Sequence, residues 1–363
     1  MKKLLILIAF FNLSSLAALA QPTVTACIWK PFANSTRFLV PVIQDQKKSV
    51  DCKNAVQKYV DAVNADSDLR SMMNGATLPI SAESTSEIFK SITKQPRPQF
   101  IINANEFSQV SDPADFTMTN INQKLSKAGA DVIALPVAAD LALSPDQRLQ
   151  FHELIAKHFD AMMSLGGQDI NPALYNQNLT TAHREDVHVT RDARESQVIA
   201  SYVKLSRGVF YAICRGHQLA AVTQGQKLYQ DIYTEDVYTH KRTSTPHTGG
   251  TWHPIILDPK SILFKWVHTD LVDGKNILWV NSFHHEAVAY PLKTVAGLKN
   301  LIVTGFEQDD VKEESHKIIE VIESADGRYI TMQFHPEGMD EDQHDNGSQI
   351  MAGMVRHALS LRP

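Results

Sequence analysis

Residues 208–232, which read GVFYAICRGHQLAAVTQGQKLYQDI, contain the pattern on which the fold depends. The apolar run at 209–213 predicts a buried strand, and the segment after it has helical character until Gly225. Cys214 occupies the sharp turn between the strand and the helix. Such a turn holds one side chain at the carboxyl end of the strand and directs the first amides of the helix towards it, which favours a thiolate.

Cys214 also has a simpler interpretation, because a small buried cysteine often ends a core strand. The far end of the chain favours a catalytic role instead. A second strand-like run at 329–334 is followed by His335-Pro336-Glu337. A histidine base and a carboxylate that orients it are the partners that a cysteine nucleophile needs. In an extended stretch, a spacing of two residues would put His335 and Glu337 on the same side.

Four motifs occur in a characteristic order along the chain. They are GGQDINPALY at 166–175, CRGHQ at 214–218, NSFHHEA at 281–287 and QFHPE at 333–337. Together they resemble the class I glutamine amidotransferase superfamily, and within it the gamma-glutamyl-gamma-aminobutyrate hydrolase family of cysteine peptidases. The resemblance covers residues 98–363 and implies a Cys-His-Glu triad of Cys214, His335 and Glu337.

The resemblance implies further roles around this triad. The amides of Gly167 and Arg215 would form an oxyanion hole, for which a glycine is suited because its backbone can approach a substrate closely. For Gly166 and Gly167 the alternative is a simple tight turn. For His284 and His285, to which the resemblance gives a substrate contact, the alternative is a buried structural pair. Substrate contacts are implied for Gly166, Gln218, Asn281, Ser282, His284 and His285.

The chain departs from the family pattern at two positions. Ala212 stands where the family usually has glycine, which we interpret as a packing variation. Glu286 replaces a glutamine, and we expect it either to point to solvent or to favour a positively charged group of the substrate. Upstream, Asp192 is interpreted either as a helix N-cap or as a residue that supports the active site.

Strand-like and helical segments alternate from residue 99 onwards. Strands are predicted at 100–103, 131–135, 161–165, 209–213, 277–280 and 329–334, and helices at 119–128, 147–159 and 349–361. This alternation predicts an α/β fold with a mostly parallel central sheet flanked by helices. Active sites in such folds lie at the carboxyl ends of the strands, where Gly166 and Cys214 occur.

The N-terminal part of the chain has a different character. Residues 1–20 combine two lysines, a short apolar run and an Ala-Leu-Ala end, which predicts a signal peptide cleaved before Gln21. A buried N-terminal helix is the alternative. We expect an exported protein, periplasmic or secreted, without a membrane anchor. Residues 21–97 are interpreted as an extension of uncertain structure, and residues 98–363 as the catalytic domain.

Composition and cysteine usage narrow the possible partners. The net charge of −5 and the lack of a basic cluster argue against nucleic acid as a binding partner.

In an exported chain with three cysteines, we predict a Cys27–Cys52 disulfide and a free Cys214, with three free thiols as the alternative. The 15 histidines follow no metal-binding spacing, so no metal is predicted.

The function implied by the resemblance is hydrolysis of a γ-glutamyl amide bond through a γ-glutamyl thioester. It requires a small γ-glutamyl substrate and no cofactor. Two alternatives remain: a glutaminase-type amidotransferase subunit, and a non-catalytic binding protein of the same fold. The sequence leaves the leaving amine, the L or D configuration of the substrate and the oligomeric state open.

Overall fold

The computed structural model describes residues 23–31, 36–44, 49–72, 84–89, 96–104, 116–136, 139–140, 142–179, 187–233, 251–294, 299–308, 318–339 and 344–362. The predicted signal peptide lies outside these residues. Within them, no helix combines the length and the apolar character that crossing a membrane requires.

The described residues form strands and helices in close alternation. The strands are β1 (Thr23–Lys30), β2 (Phe38–Gln44), β3 (Thr85–Ile88), β4 (Gln99–Ala104), β5 (Asp131–Pro136), β6 (Ala161–Ser164), β7 (Val209–Ile213), β8 (Leu228–Tyr229), β9 (Thr251–Leu257), β10 (Asp270–Val272), β11 (Lys275–Ser282), β12 (Ala287–Val288), β13 (Leu301–Glu307), β14 (Ile319–Ser324) and β15 (Tyr329–Met332). The helices are α1 (Cys52–Ala65), α2 (Ser67–Met72), α3 (Phe116–Lys127), α4 (Pro145–His158), α5 (Val189–Leu205), α6 (Arg215–Thr223) and α7 (Asn346–Ser360).

One large sheet contains thirteen of the described strands, in the order β10-β11-β9-β13-β14-β15-β7-β6-β4-β5-β2-β1-β3. From β15 to β2 every neighbouring pair is parallel, and antiparallel pairs continue the sheet on both sides. Parallel neighbours need crossover connections, and α3, α4 and α5 supply them. The predicted α/β class with a largely parallel central sheet is therefore confirmed.

Both faces of the central strands are buried. In β7, Val209, Tyr211 and Ile213 belong to one apolar cluster, whereas Phe210 and Ala212 belong to the other. Helices α1, α3 and α7 pack on the first face, and α4, α5 and α6 pack on the second. This sandwich explains why the strands read as continuous apolar runs rather than as alternating patterns.

Residues 21–97 contribute directly to the same sheet. β2 continues its parallel part by pairing Phe38 with Ala134 of β5, and β1 and β3 then add antiparallel strands. A disulfide with a Cα–Cα distance of 5.6 Å connects Cys27 of β1 to Cys52, the first residue of α1. Cys214 is not part of a disulfide.

The strand that leads to His335 is held by a hairpin. β14 and β15 pair antiparallel across the Asp326-Gly327 turn, as the sequence predicts, and Gly327 has a left-handed φ of 69°. On its other side, β15 pairs parallel with β7. The hairpin therefore fixes the end of β15 beside the end of the strand that carries Cys214.

Candidate active site

The carboxyl ends of three neighbouring parallel strands meet at one edge of the sheet. β15, β7 and β6 are adjacent in that order, and the amide of Cys214 donates to the carbonyl oxygen of Met332 over 2.9 Å. β6 pairs with β7 up to Ser164 opposite Ala212, and beyond this pair Gly166 lies close to Cys214. The topology brings His335, Cys214 and Gly166 together where α/β sheets bind their ligands.

Cys214 has a backbone conformation that side-chain-bearing residues rarely adopt, with φ 51° and ψ −117°. A residue held in such a region costs about 1–3 kcal/mol and persists only where its surroundings enforce it. Gly216 is one of the enforcing contacts, because a Cβ there would collide with the carbonyl oxygen of Ser164. Strained strand-to-helix turns of this kind present the nucleophile in α/β hydrolases.

His335 and Glu337 form a close pair. The Nδ1 atom of His335 lies 2.6 Å from Oε1 of Glu337, and the carboxylate is buried. The expected reason for this contact, an extended spacing, is wrong: β15 ends at Met332, and a 3-10 turn over Pro336–Gly338 brings the two side chains together. The sequence therefore predicts the pair but not the backbone that forms it.

The protonation of His335 is controlled by its neighbours. Burial opposes the charged imidazole, but the Glu337 carboxylate and the Cys214 sulfur outweigh burial, so the pKa of His335 lies well above its usual value. Its Nε2 atom is buried and is not bonded to Glu337. The ring thus has one nitrogen fixed by a carboxylate and the other available to a thiol and a substrate.

Asn281 positions the backbone of His335. Its Nδ2 atom donates to the carbonyl oxygen of His335, and its Oδ1 atom accepts from the amide of the same residue, both over 2.9 Å. Asn281, for which the resemblance implies substrate contact, thus holds the backbone of the histidine. Phe283, to which the motifs assign no role, is half exposed and packs edge-on against the His335 ring with the ring centroids 5.3 Å apart.

The two glycines after β6 lie against the same residues. A Cβ on Gly166 would lie 3.1 Å from Cε1 of His335 and 3.5 Å from Cβ of Cys214. Gly167 has φ 149°, and a Cβ there would collide with the guanidinium of Arg191. A side chain on Gly166 would crowd His335, and one on Gly167 would require both an unfavourable φ and a displacement of Arg191.

A buried network of charges connects these glycines to the cysteine turn. The Arg215 guanidinium is ion-paired with Asp192 and Glu195 of α5, and all three side chains are almost fully buried. Glu195 also accepts from Arg191 over 2.8 Å. Burial opposes the charge on Glu195, but the two arginines hold its pKa below the usual range.

Arg191 extends the network to the loop after β6. Its Nη2 atom donates to the carbonyl oxygen of Gly166 over 3.1 Å, and its Nη1 atom donates to Gln168 over 2.6 Å. Asp192 accepts from the amide of Asn171 over 2.8 Å in the same loop. The interpretation of Asp192 as an N-cap is wrong, because α5 begins after His188 and Asp192 lies in the first turn.

The remaining predicted substrate residues are buried and bonded within the protein. Gln218 donates to the carbonyl oxygen of Glu286 over 2.9 Å, and Nδ1 of His284 lies 2.9 Å from the same oxygen. His285 Nε2 lies 3.1 Å from Oδ2 of Asp169. These contacts favour the structural interpretation of both histidines. Ser282 is also fully buried.

Glu286 is buried in the wall of this region, so the expectation that it points to solvent is wrong. Its Oε2 atom accepts from the amide of Ile170 over 3.3 Å. Burial and the nearby charge of Asp169 raise the pKa of Glu286 well above its usual value. A neutral carboxyl can donate and accept hydrogen bonds, as the family's glutamine does.

Comparison with known proteins identifies the family. The family model described as Peptidase C26 matches residues 102–337, which include the cysteine turn, both glycines and the His335–Glu337 pair. The chain belongs to the Peptidase C26 family. This C26 chain is a hydrolase of the glutamine amidotransferase-like type.

Curated relatives of this C26 peptidase include NtpR of Enterococcus hirae, 31% identical over 183 residues that cover 49% of this chain. A putative glutamine amidotransferase of Schizosaccharomyces pombe is 28% identical and matches 52% of this chain. Each match spans 66% of the relative, which is just under two thirds of its length. Among solved structures, a glutamine amidotransferase from Thermotoga maritima aligns with a TM-score of 0.39 at 13% identity, over 73% of this chain and 98% of that chain.

The charge network generates a stability prediction for this C26 peptidase. Replacing Glu195 with glutamine leaves two buried guanidinium groups without their shared carboxylate. We therefore expect the free energy of unfolding to fall by about 3 kcal/mol or more. Because Gly166 and Arg215 are held through the same residue, kcat should fall tenfold to a hundredfold, on the order expected for a small misplacement. Chemical denaturation and steady-state kinetics measure the two effects.

A surface ion pair provides the control for Glu195→Gln. Lys299→Met removes the exposed pair of Lys299 with Asp326 and should change stability by less than about 1 kcal/mol. If Glu195→Gln is no more destabilising than Lys299→Met, the buried network does not hold the site together.

The buried carboxyl of Glu286 generates a pH prediction. In the unfolded chain Glu286 loses its proton above its usual pKa of 4.5, whereas the folded protein keeps the proton to a much higher pH. The wild type therefore loses stability as the pH rises from 4.5 through the folded pKa, with a slope of up to about 1.4 kcal/mol per pH unit. Glu286→Gln lacks this loss.

We expect Glu286→Gln to melt above the wild type at neutral pH, with a difference that shrinks towards pH 4.5. Melting temperatures recorded across this range measure the difference. Glu87→Gln, on the exposed strand β3, is the matched control and should show no such trend. A Glu286→Gln effect that does not change with pH contradicts the assignment of a neutral carboxyl.

Proposed function

We propose that this protein is an exported cysteine hydrolase that cleaves γ-glutamyl amide bonds. The observation that carries the proposal is the meeting of Cys214, on its strained turn, with the His335–Glu337 pair and the Gly166-Gly167 turn. A nucleophile, an oriented base and closely approaching backbone amides are the three parts that acyl transfer needs. Membership of the C26 family supports the γ-glutamyl group as the acyl part.

The first half-reaction forms a thioester. His335 takes the proton of the Cys214 thiol through Nε2, while Glu337 holds Nδ1 and stabilises the imidazolium. The thiolate attacks the γ-carbonyl carbon of the substrate, and the amides of Gly167 and Arg215 stabilise the oxyanion. When the tetrahedral intermediate collapses, His335 returns its proton to the leaving nitrogen and the amine departs.

Water completes the reaction. His335 takes a proton from the attacking water, the γ-glutamyl thioester is hydrolysed, and the thiol of Cys214 receives the proton back. The raised pKa of His335 favours the cysteine thiolate–imidazolium pair before attack. The leaving amine passes beside His335, and the half-exposed Phe283 therefore borders the part of the site that this group occupies.

A glutaminase is the second candidate. A relative named as a putative glutamine amidotransferase supports it, because glutamine presents the same γ-carbonyl with ammonia as the leaving group. The two functions differ only in the amine that the site accepts. Rates with glutamine and with γ-glutamyl anilides therefore separate them on the same preparation of enzyme.

Replacing the nucleophile tests the proposed chemistry. We expect Cys214→Ser to lower kcat/KM for a chromogenic γ-glutamyl anilide at least about a thousandfold, because a hydroxyl is a much weaker nucleophile than a thiol. The melting temperature should stay close to that of the wild type, since the serine side chain is slightly smaller than that of cysteine and fits the same space.

The substrate arms of this experiment are L- and D-γ-glutamyl anilides, glutamine and an α-glutamyl anilide. Faster turnover of a γ-glutamyl anilide than of glutamine favours the hydrolase, and the reverse order favours the glutaminase. Activity that persists in folded Cys214→Ser contradicts both, because both require the thiol.

Export is the second part of the proposal. The disulfide of Cys27 with Cys52 supports it, since disulfides persist in oxidising compartments. In the chain-entropy model, closing this loop stabilises the folded chain by about 3 kcal/mol.

Protein recovered from the periplasm or the medium should begin at Gln21. A non-reduced digest should contain the two cysteine peptides joined, with Cys214 open to alkylation. An uncleaved chain in the cytoplasm with three free thiols contradicts export.

A further inference from the structure

Two histidines and an aspartate meet on the surface, away from the cysteine site. His268 follows the 3-10 turn Leu263–Lys265, Asp270 is the first residue of β10, and His344 precedes α7. Their candidate donor atoms, one from each residue, all lie within 4.8 Å of one another. His268 and Asp270 are about half exposed, so an ion can reach them from solvent.

The distances in this group fit a shared ion better than direct hydrogen bonding. Nε2 of His268 and Oδ1 of Asp270 are 3.7 Å apart, which is too long for a hydrogen bond. Ligand atoms of a tetrahedral Zn²⁺ with bonds of about 2.0 Å are roughly 3.3 Å apart, so this separation needs only a small adjustment.

The two imidazole rings are also suited to metal binding. Their centroids are 4.0 Å apart with an interplanar angle of 35°. Imidazole nitrogens are common metal ligands, and rings this close can each direct one nitrogen to a shared ion. The carboxylate of Asp270 adds a negative charge that a divalent cation would balance.

The backbone around the group is held in place before any ion binds. Asn346 accepts from the amide of His268 over 2.7 Å and donates to its carbonyl oxygen over 3.3 Å. These bonds tie the segment that carries His268 to the start of α7, two residues after His344. Preorganised ligands bind a metal more tightly because less ordering is needed on binding.

From this geometry we propose that His268, Asp270 and His344 form a binding site for a divalent transition metal ion, with Zn²⁺ as the best fit. Two imidazoles and one carboxylate are a ligand set that Zn²⁺ accepts, and Mg²⁺ and Ca²⁺ prefer oxygen ligands. Water would complete the coordination. The sequence predicts no metal because the ligands lie in segments far apart in the chain and match no spacing motif.

The position of the site indicates a stabilising role. The ion would fasten the start of α7 to the segment before β10. The same first turn of α7 packs closely on the turn that carries Glu337, since a Cβ on Gly347 would lie 2.5 Å from the carbonyl oxygen of Pro336. The metal would therefore stabilise the folded chain without contacting the reacting atoms.

Calorimetric titration of Zn²⁺ into untagged, metal-free protein lacking residues 1–20 tests the proposal. Cys214→Ala serves as the background, because a catalytic thiol is itself a zinc ligand. We expect one ion per chain, a rise in melting temperature of roughly 3 °C at a hundredfold excess over Kd, and no binding of Mg²⁺. In this background, His268→Ala and His344→Ala should each lower the affinity at least about tenfold.

His158→Ala, which removes a histidine of α4 outside the group, is the control and should keep the wild-type affinity. Circular dichroism of the metal-free variants establishes that they are folded. Zinc binding that survives in the double variant His268→Ala/His344→Ala overturns the proposal. So does the lack of zinc binding by the Cys214→Ala background itself.

Discussion

The buried ion pairs of Arg215 with Asp192 and Glu195 are the interaction on which the site depends. Arg215 directly follows the cysteine, and Glu195 continues through Arg191 to the carbonyl oxygen of Gly166. One connected set of charges therefore fixes both backbone segments whose amides we propose to hold the oxyanion. Taking these charges out of water is costly, so the network gives little net stability in spite of its strong contacts. Removing one of its members is nevertheless costly, because a buried charge is left without its partner.

Backbone strain at the cysteine follows from the same constraint. A left-handed φ at Cys214 persists because neighbouring groups leave no alternative: α6 begins at once, Gly216 lies against the carbonyl oxygen of Ser164, and the Cys214 amide bonds to β15. The histidine is held in a similar way, by Asn281 on its backbone and Glu337 on its ring. Cys214 and His335 are thus positioned by separate parts of the sheet, and the parallel pairing of β7 with β15 brings these parts together.

Short motifs made the central part of this arrangement predictable from sequence. The cysteine after an apolar run, the His-Pro-Glu end of a second run and the Gly-Gly turn all mark carboxyl ends of parallel strands, and the topology brings those ends together. The role of the Arg215 side chain was not visible, because its partners lie 20 and 23 residues upstream and meet it only when α5 packs beside α6. The burial of Glu286 is hidden for a related reason, because a carboxylate in a polar motif gives no sign of burial until the surrounding fold is known. Residues 21–97 join the large sheet through the pairing of β2 with β5, which lies far away in the chain, and no local pattern indicates that partner.

The central claim is that the Cys214 sulfur is the nucleophile that attacks a γ-glutamyl carbonyl. A glutamine analogue with a diazomethyl ketone at the γ-position alkylates a cysteine that attacks this carbonyl, and it leaves a permanent label. Peptide mass spectrometry after partial inactivation measures where the label lies and how its amount follows the loss of activity. The account predicts one label per chain, on the peptide that contains Cys214, in proportion to the activity lost. Inactivation with an unmodified Cys214, or a label on another residue, would contradict it.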